Sequence, residues 1–218
     1  VAIVNARLYA ETRANASELG LLFAASQEMG ASRAPQPVLE ALARYLTEGL
    51  LATSAYIIEV DLEQSSIAIL AEYWAAGARA TERVTARGAF PLADYPHAEQ
   101  SARDQTVVQF RKEDAHGSSS EYVFFANYGV QAELIVPVLA RGQTLGLAAI
   151  WDSSAPRVFT PADIRLAQTL ARHAAGVIDN ARLFSALEDE KRRLELLYGL
   201  SQSLTGSLNL GHVAGRAL

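Results

Sequence analysis

Apolar residues recur at two different periods along this chain, and the changes of period divide it. From Asn180 onward, Leu183, Leu187, Glu190, Leu194, Leu197, Ser201 and Leu204 fall at three- and four-residue spacing. That is the seam of a coiled-coil helix. The opening segment carries a matching seam at Leu8, Leu19, Leu22, Ser26 and Met29, with Thr12 and Asn15 as polar gaps. Both stretches are expected to be linker helices, and residues 188–193 form a solvated, charged face. A lone helix cannot hide such a seam from water. A homodimer is therefore expected through Leu8, Leu19, Leu22, Leu183, Leu187, Leu194, Leu197 and Leu204. The alternative is that the seam packs on the chain's own domain.

Between the linkers the pattern predicts an α+β body. Pro35 and Pro37 open a helix whose apolar face is Val38, Leu42, Tyr45, Leu46 and Leu50. Residues 54–60 and 66–74 read as strands joined by a turn at 61–64. Residues 75–104 are irregular, punctuated by Gly77, Gly88, Pro91 and Pro96, with a short helix from about His97. A third strand at 106–110, a polar loop at 113–120 and a short helix at 120–128 ending at Gly129 follow. Strands at 132–139 and 144–152 are joined by Ala140-Arg141-Gly142-Gln143, a hairpin signal. Thr160 then caps a helix with Pro161 at its first position and Asp163 completing a capping box; Phe159 and Ile164 are placed as a hydrophobic staple. This helix is expected to reach about Leu204, weakened but not ended by Gly176 and Gly199. Strands pairing antiparallel with helices segregated to one face make a domain of about 140 residues. The strands at 134–139 and 145–151 are apolar on both alternating faces, the pattern of a sheet covered on both sides. Glu59, Glu133 and Asp152 lie near strand ends and are expected to meet water.

The two linkers also resemble each other. Over a shift of 175 positions, 12 of 43 gapless pairs are identical, among them Asn5-Ala6-Arg7-Leu8 with Asn180-Ala181-Arg182-Leu183 and Ser26-Gln27 with Ser201-Gln202. Chance gives about 4. The expected organisation is a linker helix at 1–30, a domain at 31–175, a second linker helix at 176–206, and the start of a further, truncated repeat at 207–218. A first residue that is Val1, not Met, fits a piece of a longer chain.

Composition narrows the chemistry. Of the 218 residues half are apolar and 20% charged, with a formal charge of −5, which argues against a nucleic-acid partner. No stretch approaches the ~18 apolar residues of a membrane span and there is no signal peptide, so a cytoplasmic location is expected. There is no nucleophile elbow, phosphate-cradling glycine loop or His-Glu-x-x-His. The four histidines, His97, His116, His173 and His212, show no metal spacing. Glu188, Asp189 and Glu190 fan around a helix and cannot act as a carboxylate pair. No catalytic or metal residue is assigned, and this stretch is not expected to be an enzyme.

Residues Gly129-Val-Gln-Ala-Glu-Leu-Ile-Val-Pro-Val-Leu-Ala-Arg-Gly-Gln-Thr-Leu-Gly-Leu147, then Arg157-Val-Phe-Thr-Pro-Ala-Asp163, then Asn180-Ala-Arg-Leu183 resemble the GAF family. Phe90-Pro-Leu-Ala-Asp-Tyr-Pro-His97 and Thr106-Val-Val-Gln-Phe110 also look like GAF copies strung in series in bacterial multi-sensor proteins. The resemblance covers about residues 30–185. It implies a central antiparallel sheet of five or six strands, with the long terminal helices on one face and shorter helices and loops roofing a pocket on the other. It also implies a regulatory module upstream of a histidine kinase, in a two-component system, or of a cyclic-dinucleotide enzyme.

The cofactor stays unknown. A bilin attached through cysteine is excluded because the chain has no cysteine, and the cyclic-nucleotide Asn-Lys-Phe-Asp-Glu signature is not found. The resemblance places a small molecule between the sheet and residues 75–130. Tyr56, Ile58, Trp74, Phe90, Tyr95, His97, Phe124, Tyr128 and Trp151 are the candidate lining; aromatics there either stack on a planar ligand or fill the core. His97 is the one candidate for an axial haem ligand. Arg111 and Lys112, just after a strand, are candidates to hold an anion or are simply solvated. Two functions follow: a ligand sensor that relays through its linker helices to a downstream output domain, or a ligand-free spacer and dimerisation module with a collapsed pocket.

Overall fold

The computed structural model describes residues 2–32, 34–83, 88–114 and 120–214, without the side chains of 2–12, 14, 120–122, 124 and 199–214. His116 and the side chains of Leu8, Thr12, Phe124, Leu204 and His212 therefore lie outside the described residues. The elements are α1 (Ala2–Ala31), α2 (Pro35–Gly49), β1 (Ser54–Asp61), β2 (Ser66–Trp74), β3 (Ala89–Pro91), α3 (Pro96–Asp104), β4 (Val108–Arg111), α4 (Ser120–Tyr128), β5 (Ala132–Ala140), β6 (Gln143–Asp152) and α5 (Pro161–Ala214). The chain forms two compact units, Val1–Asp179 and Asn180–Leu218.

In the first unit the strands make one six-stranded sheet in the order β3-β2-β1-β6-β5-β4. Every pairing is antiparallel. β3 is three residues long and falls within the segment expected to be irregular. Its Pro91 marks an edge strand, where a missing N–H costs no ladder bond. Local chemistry sets the hairpins. Arg141 and Gly142 both have positive φ, at 50° and 78°, the two-residue turn whose twist matches the flanking strands. At the other hairpin Asp61 Oδ1 accepts hydrogen bonds from the backbone N–H of Glu63 and Gln64.

The side-chain period of two splits each central strand between two cores. Ala55, Ile57, Leu134, Val136, Ala148 and Ile150 face one way and pack with Val38, Leu42 and Leu46 of α2 and Leu166, Leu170 and Ala174 of α5. Tyr56, Ile58, Ile135, Leu147, Ala149 and Trp151 face the other way and meet Ala98 and Ala102 of α3 and Phe125 of α4. The expected apolar face of α2 is buried along its whole length, from Val38 to Leu50.

The helix start at Thr160 forms as the sequence predicts. Asp163 N–H donates to Thr160 Oγ1 at 3.2 Å, and Thr160 N–H donates to Asp163 Oδ2 at 2.7 Å. Phe159 is buried and Ile164 packs on the same core. Arg157 reaches Asp152 at 3.3 Å and Asp163 at 3.4 Å, tying the strand end to the helix start. α5 continues past the expected end near Leu204, to Ala214. Isolated glycines cost a helix only about 1 kcal/mol each and do not end it unless a left-handed turn follows.

Two expectations are corrected. Met29, expected on the dimer seam, is fully buried in the chain's own core with Ala25, and Leu22 packs against that core. The short link after Ala31 brings the end of α1 onto α2, where Glu28 accepts from Arg44 at 2.5 Å and from the Tyr45 hydroxyl at 2.9 Å. Leu19 remains exposed. Glu133 and Asp152 do not meet water: they are 7% and 3% exposed, whereas Glu59 is exposed as expected. Both sit on inner strands, and Asp152 accepts from the backbone N–H of Ser154 at 2.9 Å as well as from Arg157.

In the second unit, described side chains along α5 are solvent-exposed, including Leu183, Leu187, Leu194 and Leu197. The polar face carries Lys191–Glu195 and Arg193–Glu190 pairs at 3.8 and 4.0 Å. Pairs so exposed contribute little.

Two substitutions test this architecture. Thr160→Ala removes the cap and is expected to cost about 0.5–2 kcal/mol in urea unfolding. Gly146→Ala places a Cβ 2.6 Å from the Ile58 carbonyl oxygen. Backbone cannot yield as a flexible side chain does, so a loss of about 1–3 kcal/mol is expected in the same measurement.

Candidate functional site

The second face of the sheet is covered by short pieces: residues 75–83, α3 and α4. One buried carboxylate fastens the first of these. Glu82 is fully buried in an irregular segment. Its Oε2 accepts from Thr53 Oγ1 and Ser54 Oγ, both at 2.8 Å. Its Oε1 accepts from the Arg79 N–H at 2.9 Å and from the Ser153 hydroxyl. The Tyr56 hydroxyl donates to the Glu82 carbonyl and accepts from Trp74 Nε1 at 2.9 Å. Hydroxyls at the ends of β1 and β6 thus replace water around a buried charge, without a cationic partner among the described residues.

Beneath this roof lies a cavity with about 70 Å3 of space open to the centres of water-sized molecules. One water needs roughly 10–15 Å3 of such space, so several waters or a ligand of a few heavy atoms fit. Of the candidate lining residues, Tyr56, Ile58, Phe90, Tyr95, His97, Tyr128 and Trp151 form its wall. Trp74 does not; it sits behind Tyr56 as a hydrogen-bond donor. Phe124 lies outside the described side chains, and its neighbour Phe125, fully buried, lines the cavity. The rings pack on one another: Tyr56 and Trp151 at 4.3 Å between centroids, Tyr128 and Trp151 at 5.5 Å, and His97 and Phe110 at 4.1 Å.

Sequence reasoning missed the polar end of the cavity. Glu133 lies opposite Trp151 on β6 and Phe110 on β4. Its side chain points to the same face as Ile135, into the wall. Trp151 Nε1 donates to Glu133 Oε1 at 2.9 Å. Burial pushes the Glu133 carboxyl up to about 7, with the Trp151 hydrogen bond opposing. Burial likewise pushes the phenols of Tyr56 and Tyr95 up to about 12. Asp94, exposed, stands at the rim. The period-two parity with Ile135, on the face that the resemblance roofs, was the available signal for Glu133; its closure from water by β4 and β6 was not legible.

Arg111 and Lys112 do not line the cavity. Arg111 turns to Asp114 at 2.9 Å and to Glu113. Among the described lining residues there is no lysine or arginine, and the ionisable groups besides the tyrosines are Asp94, Glu133 and His97. His173 lies on α5, away from this wall and partly buried. Among the described residues no group of three histidines or carboxylates is placed to hold a metal, and no helix is long and apolar enough to cross a membrane.

Two measurements probe these carboxylates. Removing the Glu82 acceptor strands the hydroxyls of Ser54 and Ser153 and the Arg79 N–H, while Thr53 keeps the Trp151 carbonyl, so Glu82→Ala is expected to cost about 3 kcal/mol in urea unfolding. Native Glu133 keeps its proton up to about pH 7, while the unfolded chain releases it near 4.5. Between those values the native state binds more protons, so this group's contribution falls as pH rises, by up to about 3 kcal/mol. Glu133→Gln is expected to remove that slope from the pH dependence of unfolding.

The fold has many structural relatives. The GAF domain of PixJ from Thermosynechococcus elongatus, in its blue-light absorbing form, superposes with a TM-score of 0.61 at 17% identity, covering 73% of this chain and 93% of that one. The GAF domain of a phosphoenolpyruvate-protein phosphotransferase from Acinetobacter gives 0.58 at 17% identity, covering 77% and 95%. Residues of a methyl-accepting chemotaxis protein give 0.60 at 20% identity, covering 74% and 99%. At these identities the likeness establishes the fold. No curated protein sequence matches the chain. A family model described as GAF domain matches residues 32–179. With that match spanning the sheet, both its covers and the cavity between, the chain belongs to the GAF domain family.

Proposed function

We propose that this chain is a sensory module of a bacterial signal-transduction protein. It binds a small molecule in the cavity between sheet and roof and relays occupancy through its long helices. The observation that carries the reading is the roofed cavity, walled by tyrosines and Trp151 and ending on a buried carboxylate. A domain needing only a core has no reason to keep Glu133 there at the cost of its ionisation. The roof consists of short pieces fastened at few points, so a ligand that contacts it in one pose biases that pose. The long C-terminal helix then carries the change by rotation or shift in register. The relatives support the role: they include GAF domains of a photoreceptor and a segment of a chemotaxis protein.

The output in this reading is a downstream histidine kinase or cyclic-dinucleotide enzyme in the cytoplasm, and the relay works across a homodimer. The exposed leucines at 183, 187, 194 and 197 favour a paired helix, since a stripe of that size left in water is costly. A second reading, a spacer and dimerisation module that binds nothing, is favoured by the modest size of the cavity.

Thermal shift separates the two. A sensor gains stability from its ligand, by about 2.7 kcal/mol at a hundredfold excess over Kd. Cyclic nucleotides, haem, biliverdin and fractionated cell extract are the screen. A rise in Tm that Tyr56 and Trp151 variants lose supports sensing; no rise with any of them supports the spacer. For the pairing, Leu194→Asp with Leu197→Asp is expected to halve the mass in light scattering while the domain still melts cooperatively. An unchanged mass refutes the seam.

A further inference from the structure

The cavity is chemically one-sided. Its walls are aromatic and aliphatic, its buried polar end is the Glu133 carboxyl, and its rim carries Asp94. Among the described lining residues no lysine or arginine balances these carboxyls. Among the described residues the only hydrogen bond to the Glu133 carboxyl is the one Oε1 accepts from Trp151 Nε1, at 2.9 Å. The rings of Tyr56, Tyr128 and Trp151 line the cavity with it and pack on one another, with centroids 4.3 and 5.5 Å apart. An aromatic face carries partial negative charge and attracts a cation within about 6 Å. A carboxylate in a water-poor site attracts one far more strongly than it would in solvent. An anionic ligand meets Asp94 at the rim and is repelled by Glu133 wherever that carboxyl is ionised.

We propose that the cavity takes a small organic cation with N–H donors, an ammonium or amidinium, whose head group docks on Glu133 beside the packed rings of Tyr56, Tyr128 and Trp151. The assignment rests on the sensor reading and adds the ligand class to it. The cavity's volume limits the buried part of the ligand to a few heavy atoms. Burial alone holds the empty carboxyl about half protonated at pH 7, and a docked cation favours its ionised form. Binding is therefore coupled to proton release and strengthens as pH rises through this range. The other ionisable groups facing the site are His97, Asp94 and the phenols of Tyr56, Tyr95 and Tyr128.

The test uses three planar probes of equal size, acetamidinium, acetamide and acetate, on the whole 218-residue chain. The chain has two tryptophans, so nitrogen-15 spectra show two indole N–H signals, and Trp74→Phe assigns the one from Trp151. At about pH 8, acetamidinium is expected to move the Trp151 signal and to bind about tenfold or more tighter than acetamide, a margin of about 1.4 kcal/mol. Its affinity is expected to fall several-fold by about pH 5.5, as protons compete for the carboxylate. Glu133→Gln keeps an acceptor for the Trp151 indole and is expected to abolish both the preference and the pH dependence. Acetamide or acetate binding as tightly as acetamidinium overturns the ligand class, as does a preference that survives in Glu133→Gln or a Trp151 signal that no probe moves. The sensor reading stands or falls separately, on the thermal screen and its Tyr56 and Trp151 variants.

Discussion

A sheet whose central strands are apolar on both faces has to be covered twice, and most of this structure follows from that requirement. β1, β5 and β6 alternate large apolar residues to either side, with almost nothing for water to hold. The first cover is simple: α2 and the start of α5 lay continuous apolar stripes on one face, and α1 adds Ala25 and Met29. Each helix closes a long strip of sheet.

The second cover is assembled differently. Residues 75–83 and two nine-residue helices share the other face. Short elements cannot form stable structure alone, so they depend on contacts with the sheet to hold their place. Glu82 supplies one such point, gathering donors from the ends of two strands and the loop itself. A roof made of pieces leaves a gap where they meet, and the gap is the cavity. The architecture thus places long helices on one side of a sheet and short elements around a cavity on the other.

The two buried glutamates show how differently one side chain behaves in two surroundings. Glu82 is surrounded by donors from Thr53, Ser54, Ser153 and Arg79, which substitute for water. Glu133 accepts from Trp151 alone among the described residues, and burial holds its carboxyl well above the ordinary range. The first fastens structure. The second is a polar group kept in an apolar place, where it lowers stability at neutral pH.

Local chemistry was legible in the sequence. The strand alternation in β5 and β6, the Arg141-Gly142 turn, the Thr160–Asp163 cap and the apolar face of α2 each depend on residues within a few positions of one another. Their outcome is therefore contained in the segment itself. The family likeness extended this to the side of the sheet that would carry a pocket, and so to Tyr56, Tyr95, His97, Tyr128 and Trp151. What stood outside it were facts about pairs of distant residues. Met29 left its seam for the core because α1 folds back on α2. Glu133 lost its water because β4, β6 and the roof close around it, and Trp74 became a partner of Tyr56 instead of a wall. Arg111 turned to neighbouring acids because they lie nearer than the cavity. Periodicity states which way a side chain points; only the packed molecule decides what it meets there, because burial and charge depend on atoms brought together from across the chain.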